Sequence, residues 1–240
     1  MTQYLEQGLT LPDQLAVRLI EYKQLGFEDG VMEALLYCLQ GHHDESFVHS
    51  LEVSSTAYKL ARFAKLPEDL LEKIFKSGLL HDIGKLGITK ELLNKRPSLT
   101  SDEISLLRTH GKLGFSIVEL LGLDPFYGVV ADEHHLGNSN HYQASQEELK
   151  SRHPLIPYIS IADSITVAGD PLRPWKDPQS LDDAESILLE KINQGIFPNS
   201  LKDPLITLCA NLREIDNGLP RRAGSFIDKT LVNFYLPGFR

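Results

Sequence analysis

The feature that most constrains the fold is the helical spacing of apolar residues, which recurs along almost the whole chain. Apolar positions repeat at intervals of three and four residues, a pattern typical of amphipathic helices packed around a common core. No stretch alternates apolar and polar residues between hairpin turns, so a sheet is not expected. The predicted helices are Leu11–Leu25, Glu28–Gln40, Glu45–Ala64, Pro67–Leu80, Ser101–Leu121, Pro125–His134, Leu155–Ala168, Leu181–Asn193 and Pro204–Ile215. The predicted fold class is therefore all-α.

Four polar or glycine-rich stretches interrupt this periodicity and predict loops, over residues 84–99, 137–143, 170–179 and 195–203. None of them is long enough, or simple enough in composition, to act as a linker between domains. A chain of 240 residues can bury the core of one large domain. The sequence therefore predicts a single-domain helical bundle.

The charge balance argues against two classes of partner. The formal net charge is −9 at pH 7, so no overall positive field attracts a nucleic-acid polymer or an anionic membrane. The first residues lack the basic-then-apolar pattern of a secretory signal peptide. No apolar run approaches the roughly 18 residues of a membrane span. Cys38 and Cys209 each lie in an apolar helical segment and are predicted to be reduced core thiols. These features predict a cytoplasmic protein with no membrane or nucleic-acid-polymer partner.

Several ionisable side chains lie on the apolar faces of predicted helices, where a polar group without a partner costs several kcal/mol. His49 shares its stripe with Val53 and Leu60. Asp163 follows Ile159 by one helical turn. The complete inward-facing set is His49, His81, Asp82, His110, His134, His135 and Asp163.

This set has two interpretations. A single histidine or aspartate on an apolar face is often a hydrogen-bonded core residue or a helix cap. Together, however, five histidines and two aspartates on five different helices are all satisfied by one cluster of cations. Seven ligands exceed what one ion normally takes from a protein, so we expect two divalent cations bridged by one carboxylate. The histidines in polar stretches, predicted to lie on the surface, are His42, His43, His141 and His153.

The same residues lie in an ordered series of motifs. The first is HDIGK at residues 81–85, within GLLHDIGKLGIT, and a histidine on an upstream helix precedes it. It is followed by LTSDEISLLRTHGKLGFSIVELL, by VVADEHH, and by YISIADSITVAGDPLRPW with its RPY-like loop. This series resembles the HD superfamily of metal-dependent phosphohydrolases, and its HD-GYP branch in particular. The resemblance covers an HD-GYP-like domain over residues 35–210; outside it we expect a helical lead-in over residues 1–34 and a C-terminal helical extension over 211–240.

The resemblance also implies a role for each residue of the set. One ion would be held by His49, His81, Asp82 and Asp163. Asp82 would bridge to a second ion, which would be held by His110, His134 and His135. In this family the metal is often iron or manganese, and the substrate is cyclic di-GMP or a related cyclic nucleotide.

The catalytic residues implied are Asp82 and Lys85. A hydroxide that bridges two cations is a competent nucleophile near neutral pH, because the metals lower the pKa of the bound water. It would attack phosphorus, while the cations and Lys85 stabilise the charge that gathers on the phosphoryl oxygens. Further substrate contacts are expected from Arg173, Lys176 and Tyr142, although a solvated loop explains the two basic residues equally well.

Two departures from the family pattern keep other functions open. The run after the paired histidines is HHLGNSNHYQ, which lacks the Gly-Tyr-Pro signature and keeps only its tyrosine. A catalytically weak module that senses a cyclic nucleotide or docks a protein is therefore one alternative, and an HD-type diiron oxygenase is another. A third ion could take Glu33 or Glu45 as a ligand. The C-terminal segment is expected to form a helix on the core, or else a homodimer or regulatory-partner surface.

Overall fold

The computed structural model describes residues 28–95, 99–135, 145–168, 180–216, 224 and 226–236. Every regular element within these ranges is a helix, which confirms the all-α prediction. The α-helices are α1 (Glu28–His42), α2 (Asp44–Phe63), α3 (Glu68–Leu80), α4 (Lys90–Leu93), α5 (Ser101–Arg108), α6 (His110–Leu121), α7 (Pro125–Glu133), α8 (Gln146–Ser151), α9 (Ile156–Thr166), α10 (Leu181–Asn193), α11 (Lys202–Asp216) and α12 (Lys229–Tyr235). The 3-10 helices are Ile83–Gly87 and Asn199–Leu201.

The predicted helix Ser101–Leu121 is wrong, because the chain forms two helices that meet at Thr109. The Thr109 hydroxyl donates to the Leu106 carbonyl at 2.7 Å, and the His110 ring bonds the Leu107 carbonyl at 2.7 Å. In a continuous α-helix, these carbonyls would accept hydrogen bonds from the backbone amides four residues later. The side chains therefore compete with the helical hydrogen bonds here. The break makes His110 the first residue of α6.

Two of the predicted loops are also wrong in part. The stretch 84–99 contains most of the 3-10 helix Ile83–Gly87 and all of α4, and the stretch 195–203 contains the second 3-10 helix. Helix α8 was not predicted, although Ser145 and Glu148 form a reciprocal capping box at its start. The predicted helix Leu11–Leu25 and the predicted loops 137–143 and 170–179 lie outside the described residues.

The core is organised around α2, which packs against α1, α3, α9 and α11. Its apolar face is fully buried, with Val53, Ala57 and Leu60 each at 0% exposure. Burying a side chain of this kind contributes roughly 1.5–3 kcal/mol, so the α2 stripe is a main source of stability. A second group of contacts joins α6 to α7 and to the first 3-10 helix.

In the described part of the C-terminal segment, α12 packs on the core. Tyr235 of α12 stacks on Phe75 of α3 with ring centroids 4.8 Å apart. The backbone before α12 is held by α2, because the Asp228 amide donates to the Ser55 hydroxyl at 3.0 Å. These contacts join α12 and the residue before it to α3 and α2.

Two further predictions concern the cysteines and membranes. Both cysteines are free thiols; Cys209 is buried and Cys38 is partly exposed. Among the described helices, none combines the length and the hydropathy needed to cross a lipid bilayer.

Candidate metal centre

All seven side chains of the inward-facing set converge on one region of the core. His49 lies in α2 and Asp163 in α9, whereas the other five lie at or beside helix ends. His81 follows α3, His110 begins α6, and His134 follows α7. Six of the seven are buried; the His135 side chain retains 26% exposure. The centre is therefore inside the bundle, with one edge toward solvent at His135.

The potential ligand atoms fall into overlapping groups. His49, His81 and Asp163 form one group, and His110, His134 and His135 form another; the ligand atoms in each lie within 4.8 Å of one another. A third group joins His81, Asp82 and His134 between them. The first group contains three of the four residues expected for one ion, and the second contains the three histidines expected for the other.

Asp82 lies between the two groups and presents a different oxygen to each. Its Oδ1 atom is 3.3 Å from His110 Nε2, and its Oδ2 atom is 3.3 Å from His81 Nε2. The Oδ2 atom also lies 3.8 Å from His49 Nε2. A carboxylate placed in this way can bind two cations at once.

Asp163 also contacts both sides of the centre. Its Oδ1 atom is 3.0 Å from His49 Nε2, and its Oδ2 atom is 3.5 Å from His135 Nδ1. The resemblance grouped Asp163 with His49, His81 and Asp82, and not with His135. The second contact shows that α9 faces both groups.

Three histidines share one backbone interaction that orients their rings. His81 Nδ1 is 2.8 Å from the Gly78 carbonyl, and His110 Nδ1 is 2.7 Å from the Leu107 carbonyl. His134 repeats the arrangement, with its Nδ1 atom 2.9 Å from the carbonyl of Ala131. In each case the acceptor lies three residues earlier, in the last turn of a helix, where carbonyls lack intrahelical partners. A carbonyl can only accept, so the proton lies on Nδ1 and Nε2 carries the lone pair.

These three Nε2 atoms provide the test of whether a metal fits. Each is buried and has no hydrogen-bond partner within the described part of the chain. A buried acceptor without a partner costs about 1–3 kcal/mol, which three converging imidazoles would incur together. A divalent cation satisfies all of them, because neutral imidazole and carboxylate are ligands of first-row metals. The residues present therefore fit a metal centre.

The electrostatics of the centre favour the metal-binding protonation state at Asp82, Asp163 and His134, whereas the Asp82 charge outweighs burial and raises the pKa of His81. Burial raises the pKa of Asp82, but the charges of Lys85 and His81 outweigh it and hold that pKa well below its usual range. Burial also raises the pKa of Asp163, and the hydrogen bond from His49 reverses the shift in the same way. Burial lowers the pKa of His134 well below its ordinary value. Ionised carboxylates and a neutral imidazole are the ligand-competent forms.

Lys85 lies at the edge of the centre in the 3-10 helix that follows Asp82. Its Nζ atom is 2.5 Å from Asp82 Oδ2, and its side chain is 17% exposed. The ammonium group is thus held beside the cluster rather than extended into solvent. This position provides a fixed positive charge next to the potential ligands.

The other predicted residues have mixed outcomes. His153 is exposed, but His42 and His43 are half-buried, so their surface assignment is wrong in part. His42 Nε2 bonds the Ile88 carbonyl at 2.8 Å, and His43 Nδ1 accepts from the Ser46 amide to cap α2. The residues outside the described ranges are Arg173, Lys176, Tyr142 and His141. Within the described ranges, neither Glu33 nor Glu45 belongs to a group of potential ligands.

The sequence did not identify Ser160, which supports the centre from α9. Its hydroxyl donates to the His134 carbonyl at 2.5 Å and is fully buried. Ser160 lies three residues before Asp163, so it shares the inward face of that helix. A polar residue one turn from a ligand was the available signal.

Comparison with known proteins identifies the family of the chain. Residues 46–168 match the family model of the HD domain, which is just over half of the 240 residues. The chain therefore belongs to the HD domain family.

Three curated relatives share parts of the chain. A 76-residue stretch is 37% identical to a cyclic di-GMP phosphodiesterase of Pseudomonas aeruginosa, covering 32% of this chain and 18% of that protein. A stretch of 178 residues is 30% identical to a probable cyclic di-GMP phosphodiesterase of Vibrio cholerae, covering 68% of this chain and 40% of that protein. A stretch of 191 residues is 23% identical to a 3'3'-cGAMP-specific phosphodiesterase of Vibrio cholerae, covering 77% of this chain and 43% of that protein. The chain thus spans less than half the length of each relative.

Proposed function

We propose that this protein is a metal-dependent phosphodiesterase of the HD-GYP type that cleaves a phosphodiester bond of a cyclic dinucleotide. The observation that carries the proposal is the position of Asp82, whose two carboxylate oxygens face two separate groups of histidines. The names of the relatives support the substrate class, because these proteins are named as phosphodiesterases of cyclic di-GMP or 3'3'-cGAMP.

In this proposal the two groups of ligands hold one divalent cation each. The first cation is bound by His49, His81, Asp82 and Asp163. The second is bound by Asp82, His110, His134 and His135. When bound, such ions lower the pKa of coordinated water and withdraw charge from phosphoryl oxygens. We propose iron or manganese, since imidazole and carboxylate ligands accept both.

The protein's own residues position the substrate and balance its charge. Lys85 offers an ammonium group next to Asp82, where burial strengthens its interaction with a phosphate oxygen. His135 forms the solvent-facing edge of the centre, so the nucleotide would enter on that side. Asp82, which the neighbouring Lys85 charge helps to keep ionised, is available to hold both cations at neutral pH. Arg173, Lys176 and Tyr142 are proposed as further substrate contacts.

The decisive experiment measures metal content and hydrolysis on the same sample. Protein reconstituted with manganese or iron(II) is assayed against cyclic di-GMP, 3'3'-cGAMP and a linear dinucleotide, with product identified by chromatography. We expect about two ions per chain and cleavage of a cyclic dinucleotide, which chelation abolishes and metal restores. An absence of bound metal would reject the proposal. Turnover that occurs in the presence of dioxygen but stops under strict anaerobiosis would instead support the oxygenase alternative.

One observation favours a second candidate, a cyclic-dinucleotide sensor. The run HHLGNSNHYQ lacks the Gly-Tyr-Pro signature that follows the paired histidines in this branch. A sensor would keep the metal centre and bind the nucleotide without cleaving it. Calorimetry on the metal-replete protein separates the two, because binding of an intact nucleotide without product formation supports the sensor.

A further inference from the structure

The first 3-10 helix approaches the start of α6 so closely that only glycine fits at position 84. A Cβ atom built on Gly84 would lie 1.8 Å from the His110 carbonyl oxygen and 2.5 Å from the Gly114 amide nitrogen. Both obstacles are backbone atoms, which no side-chain rotation can remove. The φ angle of Gly84 lies outside the left-handed region, so space alone requires glycine here.

The close packing continues from α6 to α7. A Cβ atom on Gly114 would lie 2.8 Å from the Ala131 Cβ atom, its nearest obstacle. Its next contacts, Gly84 N at 3.4 Å and Ile83 Cγ2 at 3.6 Å, are at ordinary or nearly ordinary separations. Small side chains at 84, 114 and 131 therefore let three elements approach one another.

This junction lies directly behind the metal centre. Gly84 is two residues after Asp82, and the carbonyl that it touches belongs to His110 itself. Ala131 accepts the Nδ1 hydrogen bond of His134. The buried Nε2 atoms of His110 and His134, which lack hydrogen-bond partners, independently mark this side as a ligand site. The separation of the elements thus determines how far Asp82 stands from the histidines of the second group.

We infer that Gly84 is a positioning residue for the second cation, and that its lack of a side chain brings Asp82 Oδ1 within reach of the ion held by His110, His134 and His135. The inference rests on the proposed dinuclear centre. The first group depends less on this junction, because His49 and Asp163 belong to α2 and α9. A side chain at position 84 should therefore weaken one ion site selectively.

The test compares metal stoichiometry among glycine-to-alanine variants of the full chain reconstituted with Mn²⁺. We expect Gly84→Ala to bind about one ion per chain where the unmodified protein binds two. Its electron paramagnetic resonance spectrum should change from that of a coupled pair to that of an isolated ion. Gly87→Ala is the matched control in the same 3-10 helix, because its Cβ would meet only the movable end of the Leu113 side chain. Gly41→Ala is a second control, with no atom within 4 Å.

A second pair of variants decides the question if Gly84→Ala does not fold. Gly114→Ala should also lose the second ion, and Ala131→Gly in the same chain should restore it by removing the nearest obstacle. Two ions in Gly84→Ala, or no restoration in the double variant, would overturn the positioning role. An unmodified protein that binds two ions but cleaves no dinucleotide would reject the proposed activity alone. An unmodified protein that binds no metal would reject both.

Discussion

His110 Nε2 lies 3.3 Å from Asp82 Oδ1, while the other carboxylate oxygen faces His81 and Lys85. Asp82 thus divides its two oxygens between ligand groups that come from different helices. A histidine at this position could offer its one acceptor nitrogen to only one of the two groups. A carboxylate offers two acceptor atoms on one short side chain. This relationship explains why an aspartate occupies the centre of a cluster made mainly of imidazoles.

The first prediction concerns this bridge. Asp82→Asn keeps the shape of the side chain but removes its charge and one acceptor oxygen, so both ions should be lost from the centre. We expect metal content to fall from about two ions per chain toward zero, measured by elemental analysis after reconstitution. Asp132→Asn, at an exposed position of α7, is the matched control and should retain full metal content. Full metal content in Asp82→Asn would contradict the bridging role.

The second prediction concerns Lys85. Lys85→Met keeps much of the side-chain length but removes the charge, so metal binding should persist while binding of the nucleotide weakens. Loss of one charge-assisted hydrogen bond of about 1.5–3 kcal/mol corresponds to a roughly 10- to 100-fold rise in the dissociation constant. Calorimetry with a cyclic dinucleotide measures it, with Lys90→Met at an exposed position as the control. Loss of metal from Lys85→Met, at unchanged thermal stability of the metal-free form, would instead assign Lys85 to ion binding.

The sequence predicted the helical class and the convergence of the seven side chains for a physical reason. A buried ionisable group needs a partner, so an inward-facing histidine such as His49 limits what can lie opposite it. Periodicity alone then indicates which helices face the same core. The grouping of His49 with Asp163 came from the family resemblance and not from periodicity; their side chains lie 3.0 Å apart.

The break at Thr109 and the junction at Gly84 could not be predicted in the same way. Both depend on competition or contact between groups whose positions only the folded chain defines. The Thr109 hydroxyl replaces a helical hydrogen bond locally, and this choice does not alter the apolar periodicity on either side. Gly84 and His110 belong to elements that are distant in the chain, so the residues around Gly84 do not indicate their close contact. From the sequence alone, Gly84 is indistinguishable from a glycine required by a turn.

The third prediction concerns the stability of the metal-free protein as a function of pH. Burial lowers the pKa of His110 and His134 below 6.5, and it lowers that of His135 to about 3. Between these values and 6.5 the unfolded chain binds protons that the folded chain does not, so stability must fall as the pH falls. His81 opposes this trend, because Asp82 outweighs burial and raises its pKa. Within the centre, the three histidines with a lowered pKa outnumber His81, and burial lowers the pKa of His43 and His153 as well, so we predict a net loss of stability from pH 7 to pH 5.

Thermal unfolding of the metal-free protein across this range checks the prediction. Each group contributes up to about 1.4 kcal/mol per pH unit, so the melting temperature should fall measurably. His135→Gln should reduce the slope, because it removes one of the three groups. A melting temperature that is constant or rises from pH 7 to pH 5 would contradict the assigned protonation states.

The fourth prediction concerns Ser160, which acts through the backbone of a proposed ligand. Its hydroxyl donates to the His134 carbonyl at 2.5 Å, which fixes the end of α7 against α9. Ser160→Ala removes this bond without changing any proposed ligand, and such supporting partners typically contribute a factor of about 10–100 to metal affinity. We therefore expect the affinity for Mn²⁺ to fall at least about tenfold in competition with a chelator. Ser164→Ala is the control, because that hydroxyl bonds the Ser160 carbonyl within α9 rather than the end of α7. Equal affinities in the two variants would show that His134 is held by its own Nδ1 hydrogen bonds alone.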